Sequence, residues 1–310
     1  MTHFIIRRIL QSILLLLAVT IIAFLLQQLA PGGPQVFSEN PRLPQSYVRQ
    51  QRHDLGLDQP IPVQYEKWLW QVLHLNFGRS FQDQRPVIDK IVDRVPNTFE
   101  LAGTALLLGL LGIPLGIVAA LRRGGVYDHT LRIATVLGNS IPTWWLGLII
   151  LIVSVKTVDI FPLAGTGDGP LDGLHHLILP AVLLAIGDWL VFSRYMRSEL
   201  LEVLNQDYVR TARAKGLAER TVILRHAVRN ALIVIVTLLG GEIAGVLSIG
   251  VIMETVFSWP GLGRLGYESA LSRDYPVLMA LFVIGASLVI VGNFLADIAY
   301  GFVDPRIRYD

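Results

Sequence analysis

Between Leu101 and Leu121 the chain runs for 21 residues without one charged side chain. A bilayer core about 30 Å thick takes roughly 20 helical residues to cross, and a soluble fold has no use for such a stretch. Five more stretches have this character: Ile9–Leu29, Ile133–Val155, Leu174–Phe192, Ala231–Ile252 and Val277–Ile298. Asp188 interrupts the fourth of the six in chain order. Hydrophobic residues make up 53% of the chain and charged ones 16%, where soluble proteins carry about 45–50% and about 25%. The runs far exceed the roughly 10 alternating residues of a barrel strand, which disfavours a β-barrel. The expected fold is an all-α polytopic membrane protein with six transmembrane helices. Soluble enzymes, disordered chains and collagen-like fibres are excluded. A net charge of +2 gives no reason to expect nucleic acid as a partner, leaving membrane lipid. With no cysteine, disulfides, thiolate zinc sites and cysteine nucleophiles are excluded as well.

Orientation follows from the bias of Lys and Arg towards cytoplasmic loops. With both termini cytoplasmic, the inner side holds Arg7, Arg8, Arg122, Arg123, Arg132, Arg306, Arg308 and the eight cations between Arg194 and Arg229. The opposite short loops hold only Lys156, Arg264 and Arg273. The first span follows a charged start like that of a signal peptide. Its apolar stretch is longer than the usual 7–15 or so residues and five spans follow, so it reads as a retained helix. Between Pro31 and Pro96 lies one extracytoplasmic segment, punctuated by proline and glycine. Helices are expected at Val63–Leu75, opened by Pro62, and at Val87–Val95, opened by Pro86. In the latter, Val87, Ile88, Ile91, Val92 and Val95 share a face, as in a helix lying along a membrane surface. With Tyr65, Trp68, Trp70, Phe77 and Phe81 as belt aromatics, the segment reads as a lid on the membrane.

Catalytic chemistry is absent. There is no phosphate loop, no HExxH and no GxSxG, so no catalytic residues are expected and the chain is not read as an enzyme. Gly261-Leu262-Gly263-Arg264-Leu265-Gly266 fits GxGxxG but follows a membrane span and Trp259-Pro260, without the strand a dinucleotide site requires. Pro260, Gly261 and Gly263 instead form a close-packed turn between spans five and six, and a gate element if the chain is a permease. His175 and His176 point about 100° apart on a helix and make a poor metal site; no metal ligand set is expected.

The longest inner loop is more ordered than a solvated basic face needs to be. Asn205 or Asp207 can cap a helix over Tyr208–Lys215, and Gly216 can end it in a left-handed conformation. A second short helix, from about Thr221 to Asn230, would carry Ile223, Ala227 and Asn230 on one stripe and Leu224 with Val228 on the next. Two such helices joined at a glycine make a rigid projection from the membrane.

The run from Tyr208 through Val209, Arg210, Thr211, Ala212, Arg213, Ala214, Lys215 and Gly216 to Leu217, with Arg225-His226-Ala227-Val228-Arg229-Asn230-Ala231 after it, closely resembles the EAA loop of binding-protein-dependent ABC importer permeases. It is most similar to the first permease of the dipeptide, oligopeptide and nickel branch. Other segments agree: Leu55-Gly56-Leu57-Asp58-Gln59-Pro60, Phe77-Gly78-Arg79-Ser80, Pro96-Asn97-Thr98, Glu254-Thr255-Val256-Phe257-Ser258-Trp259-Pro260-Gly261-Leu262-Gly263, and Asp304-Pro305-Arg306. The departures are Gly-Gly-Pro at 32–34, Leu75-Asn76 before Phe77-Gly78, and Val234 where a proline is frequent.

The resemblance implies a type I, MetI-like permease core in a bacterial cytoplasmic (inner) membrane. Residues 1–98 would form the first span and the lid. Residues 99–303 would form a five-helix core with the coupling loop at 194–230, and 304–310 a cytoplasmic tail. The implied partners are a second, related permease, two ABC ATPase subunits and an extracytoplasmic solute-binding protein. ATP and Mg would sit on the ATPases, with no cofactor in this chain. Tyr208, Thr211, Ala212, Arg213, Ala214, Lys215, Gly216 and Leu217 would engage the ATPase. The implied cargo is a di- or oligopeptide, with nickel, metal chelates or glutathione-like peptides as the alternative. A self-contained secondary transporter would also explain six spans, but it commonly shows an internal repeat with broken helices, and none is evident. Asp188 and Glu242 lie nearest mid-span, where a charge costs roughly 2.5–3.5 kcal/mol on insertion scales. Facing a translocation path and pairing with another helix or the second permease both fit their positions.

Single cysteines at Ser46 and Thr211 report the orientation directly. An impermeant thiol reagent is expected to label them from opposite sides of the membrane; labelling of both from one side overturns the arrangement.

Overall fold

The computed structural model describes residues 2–29, 46, 56, 58–157, 161, 162 and 164–303. Up to Leu57, most of the segment expected to be extracytoplasmic lies outside the described residues, as does the terminal Asp304-Pro305-Arg306. Apart from an isolated antiparallel bridge between Arg79 and Pro86, the described elements are helical. In chain order they are α1 (Thr2–Leu29), α2 (Ile61–Leu73), α3 (Val87–Gly109), α4 (Gly112–Leu121), α5 (Val126–Ser140), α6 (Thr143–Thr157) and α7 (Pro170–Val203). There follow α8 (Asp207–Ala214), α9 (Glu219–Thr221), a π-helical stretch (Val222–Val228), α10 (Arg229–Val256), α11 (Leu262–Leu271) and α12 (Tyr275–Val303). By length and composition, five helical stretches can cross a membrane: Ile5–Leu29, Val87–Leu121, Pro170–Val203, Glu219–Gly241 and Tyr275–Phe294. A sixth crossing is available if the bent pair α5 and α6 is one span.

The contacts divide the chain into two units. The first holds the residues up to Pro96 together with Leu265–Phe294. Here α2 packs on α1. Phe24 meets the rings of Tyr65 and Trp68 at 5.5 and 5.6 Å, the Tyr65 and Thr20 hydroxyls are 2.9 Å apart, and Gln28 donates to Gln64 at 3.0 Å. These polar groups satisfy one another across the two helices. Residues 78–86 form a tight hairpin closed by Ser80 N–H to Arg85 O at 3.0 Å. The Ser80 hydroxyl and the Phe81 N–H both donate to the buried Asp274 carboxylate, and Lys90 Nζ donates to Ser80 Oγ. This fastens the hairpin to the head of α12.

Two expectations change here. Helix α2 starts and ends two residues earlier than Val63–Leu75. The surface-lying helix expected at Val87–Val95 does not end there; α3 continues through Pro96 to Gly109. Val87 and Ile91 are buried while Val92 is 59% exposed, so the apolar stripe is divided between the protein interior and the outside.

The second unit contains Asn97–Arg264 and the end of α12 from Leu295. Its core is the approach of α7 to a glycine-lined face of α3 and α4. A Cβ at Gly112 would stand 2.7 Å from Trp189 O, and one at Gly116 would stand 2.5 Å from Ser193 O. The predicted run Leu101–Leu121 breaks at Leu110–Leu111. Pro114 has no N–H for the Leu110 carbonyl and its ring crowds that group. The Ile113 N–H bonds to Leu110 O at 3.0 Å instead, and the Trp189 indole N–H donates to Leu108 O from across the interface. Beyond the break, Ala120, Phe192, Met196, Leu200, Ala227 and Ile235 join α4, α7 and α10 in one buried cluster. Asp128 on α5 is buried in a two-pronged pair with Arg197 of α7, at 2.5 and 2.8 Å.

The stretch predicted as one span at Ile133–Val155 is two helices inclined by 87°. Pro142 forces Ile141 into an extended conformation (φ −108°, ψ 120°), because the α region is sterically disfavoured before proline. The predicted fourth span, Leu174–Phe192, belongs to a 34-residue helix, Pro170–Val203.

Small-residue packing yields a contrast. Gly116→Ala drives a methyl group into the α7 backbone and is expected to destabilise the detergent-solubilised chain by about 1–3 kcal/mol. Gly103→Ala, whose Cβ would meet nothing within 4 Å, is expected to leave the melting temperature unchanged or slightly raised. Equal melting temperatures for the two variants would refute this packing.

Candidate functional site

Helix α8 opens after Gln206, which is extended (φ −73°, ψ 149°) and makes no side-chain cap. The capping expected from Asn205 or Asp207 does not occur. Asn205 donates to Leu201 O at 2.9 Å, closing off the preceding helix. Asp207 is already the first helical residue, where its charge favours the helix N-terminus without acting as a cap. At the other end Gly216 is left-handed (φ +75°) and its N–H reaches Arg213 O at 2.9 Å. A Cβ on Gly216 would touch nothing within 4 Å, so the backbone angle alone calls for glycine there. Arg213 bridges across this turn to Glu219 at 2.8 Å, and that carboxylate holds the guanidinium above its ordinary pKa.

The helix has two faces. Val209 and Ala212 are buried against Val222, with Val203 and Leu204 beside them. Tyr208, Arg210, Thr211, Arg213, Ala214, Lys215, Gly216 and Leu217 are exposed. Of the residues expected to engage an ATPase, Ala212 alone is turned inward, where it fastens α8 to the rest of the loop.

The second loop helix is not a separate piece. It begins at Glu219, winds as a π-helix over Val222–Val228 and runs on into α10. Bonding from i to i+5 brings residues five apart above one another. Val222 therefore aligns with Ala227 and Ile223 with Val228. Val222, Ala227 and Val228 are buried, whereas Leu224 is 51% exposed and Asn230 is exposed. The expected α-helical stripes, Ile223/Ala227/Asn230 and Leu224/Val228, fail for this reason. The wider winding lets Val222 hold α8 while Ala227 and Val228 hold α7.

Around the expected gate turn lies a network that sequence reasoning missed. Glu254, 1% exposed in the last turn of α10, accepts from the Thr98 hydroxyl at 2.9 Å and from the Arg264 N–H at 2.9 Å. Thr98 Oγ in turn accepts from the Leu262 N–H at 2.7 Å. Asn97 donates to Pro260 O at 3.0 Å and accepts from the Trp259 indole at 2.8 Å. Trp259 is buried among Leu101, Leu177 and Ala181. Gly261 and Gly263 close over this carboxylate. A Cβ on Gly261 would overlap it, and one on Gly263 would stand 2.6 Å from Val251 Cα. Glu254 lies just beyond the apolar run Ala231–Ile252, so a search for charges inside the spans does not reach it. The signal available was an acid six residues before a Pro-Gly-Leu-Gly turn too tight for side chains.

Asp188 is half-buried in α7 and packs against Gly109, whose Cβ would lie 2.5 Å from the Asp188 Cβ. Glu242 lies on α10, and its side chain is outside the described residues. His176 pairs with Asp172 at 3.5 Å on its own helix. Among the described residues, no three His, Cys, Asp or Glu side chains are grouped to hold a metal ion.

Comparison with known proteins gives this arrangement a family. Residues 112–309 match the binding-protein-dependent transport system inner membrane component, and residues 1–102 match the N-terminal part of membrane components of such systems. The oligopeptide transport system permease AppB of Bacillus subtilis is 43% identical over 316 residues, covering 100% of both chains. A putative peptide transport system permease of Brucella abortus is 40% identical over 314 residues, again covering 100% of both. The dipeptide transport system permease DppB of Escherichia coli is 35% identical over 341 residues, covering 100% of this chain and 99% of its own. A chain of the MetNI methionine ABC transporter, solved in inward-facing conformations, superposes with a TM-score of 0.54 at 19% identity, over 70% of this chain and 97% of that one. That likeness confirms the type I importer fold. With its full length matched and its apolar helices in place, the chain belongs to the binding-protein-dependent transport system inner membrane components, the multi-pass permease subunits of ABC importers in the cytoplasmic membrane.

Proposed function

We propose that this permease forms half of a peptide-translocating path and passes to it the force of cytoplasmic ATPases. Full-length similarity to permeases of oligopeptide and dipeptide systems carries the substrate assignment. These relatives do not favour the nickel and metal-chelate alternative. The partners on this reading are a second, related permease, two ABC ATPase subunits and an extracytoplasmic solute-binding protein. Both termini and the loop at 194–230 face the cytoplasm. ATP and Mg belong to the ATPases, and this chain needs no cofactor.

The two-faced helix α8 supports the coupling role. Its inner face grips the π-helical stretch and thereby α10. Its outer face offers Tyr208, Thr211, Arg213, Lys215 and Leu217 to a groove on an ATPase. A push on that outer face reaches the span through packed side chains rather than through a slack loop. The Pro260–Gly263 turn acts as a gate element. Asp188 and Glu242 line the path and attract the cationic end of a peptide.

Two outcomes follow. The purified chain alone is expected to show no ATP turnover, while the reconstituted complex hydrolyses ATP faster with loaded binding protein; turnover by the isolated chain would overturn the division of labour. Gly216→Val forces a side chain into a left-handed conformation at a cost of roughly 1–2 kcal/mol. That is too little to unfold packed spans but enough to tilt α8. Membrane insertion is expected to persist while ATPase pull-down weakens and uptake is lost. Arg213→Ala, which removes the bridge to Glu219, should weaken association less. Parental ATPase binding and uptake in Gly216→Val would refute the coupling assignment.

A further inference from the structure

The hydrogen bonds around Glu254 are more directional than packing requires. Buried polar groups can be replaced by apolar groups of the same shape with little loss of stability, so stability alone does not account for a carboxylate here. A connected set of hydrogen bonds does something an apolar contact cannot. It fixes one register, and its members are made or broken together. The two sides of the network come from distant parts of the chain. Asn97 and Thr98 stand in α3, while Glu254, Trp259, Pro260, Leu262 and Arg264 belong to the end of α10 and the turn after it. The turn is shaped around the carboxylate, since a side chain at Gly261 would occupy the position of Glu254 itself. It can seat there with glycine and in a single way.

We propose that Glu254, with Thr98 as its donor, is the positioning residue of the gate: it holds the Trp259–Arg264 turn on the second span, and the turn must leave this carboxylate for the passage to open. The inference rests on the reading of Pro260, Gly261 and Gly263 as a gate element. It adds the group that latches the gate and the bonds that have to break. The Thr98 hydroxyl is the joint of the latch, because it donates to Glu254 and accepts from Leu262.

The test uses the reconstituted complex of permeases, ATPases and binding protein. Thr98→Val keeps the side-chain shape but leaves both the Leu262 N–H and a Glu254 oxygen without their partner; Thr98→Ser keeps the hydroxyl. In Glu254→Gln, one carbonyl oxygen cannot accept from both Thr98 and Arg264. Three quantities are read per assembled complex: efflux of preloaded labelled alanyl-alanine without ATP, the ratio of stimulated to basal ATPase, and the rate at which an impermeant thiol reagent labels Ser258→Cys in each background. Thr98→Val and Glu254→Gln are expected to raise efflux and labelling about tenfold, as suits the loss of a charge-assisted hydrogen bond. The ATPase ratio should fall towards one, and the double variant should be no worse than either single one. Thr98→Ser should behave as the parent. If Thr98→Val fails to assemble, the volume-conserving Glu254→Gln decides by the same readouts. Parental labelling and efflux in an assembled Glu254→Gln complex would overturn the latch. Faster labelling with no efflux would show that the turn is latched but does not close the path; it removes the gate reading and the proposal with it.

Discussion

A bilayer core lacks the water that would otherwise hydrogen-bond an exposed amide, so each backbone group there has to be satisfied within the protein. A straight helix meets this condition by itself, and a broken one does so by tighter local turns and with help from a neighbour. Helix α7 supplies that help in the second unit. Where Pro114 interrupts the second span, the Trp189 indole donates to Leu108 O. It can reach because Gly112 and Gly116 bring α7 to within van der Waals range of the α4 backbone. Proline creates the break, tighter turns from Ile113 to Leu110 O and from Leu111 to Leu108 O close it, and glycine admits the helix that adds a second donor to Leu108 O. The buried cluster of α4, α7 and α10 and the Asp128–Arg197 pair are built on that approach.

Apolar run length was enough to find the membrane helices, because crossing a hydrocarbon layer is a requirement of length and composition. It was blind to direction. Ile141-Pro142 was in plain view inside the third run, yet an apolar stretch reads the same whether it continues straight or turns through 87°. Left-handed Gly216 was legible because a helix stop depends on local sterics. The caps offered by Asn205 and Asp207 were not, since the helix starts between the two and leaves Gln206 at the cap position. The π-helical stretch was hidden for a deeper reason. Stripe arguments assume 3.6 residues per turn, and Val222–Val228 obeys the wider period that two separate buried clusters impose on it. Glu254 illustrates a further limit. Hydropathy ranks an acid by its distance from mid-span, while what buries this one is a turn of glycines and a threonine 156 residues away in the chain.

The charged pairs of the second unit differ in what they can contribute. Arg213 and Glu219 are 42% and 57% exposed. Water screens such a pair, so it sets the geometry of the Gly216 turn at little net gain. Asp128 is 1% exposed beneath Arg197, where removal of the arginine would strand a buried charge at a cost of about 3–5 kcal/mol. The buried pair therefore fixes α5 on α7, while the exposed pair leaves the coupling loop adjustable. On the proposed coupling role, a projection that fits into a groove on another subunit gains from this arrangement, since its base is rigid and its tip is held lightly.

The two ends of α10 are held by different physics, and that difference bears on how a permease could convert a push into an opening. At 28 residues and about 1.5 Å per residue, the helix is roughly 42 Å long, which is enough to carry a displacement from one membrane surface to the other. Its start is a π-helical stretch gripped by apolar side chains, Val222 on α8 and Ala227 with Val228 on α7. Close-packed apolar contacts transmit strain rather than absorb it, so a displacement of α8 enters the helix at this end. Its far end carries Glu254 in a closed set of directional hydrogen bonds, which resist a small shift and give way together under a larger one. On the proposed coupling and gate roles, a rod driven at one end and latched at the other responds with a threshold. On that reading, a displacement of the coupling loop has to load the whole helix before it can break the Thr98–Glu254 bond.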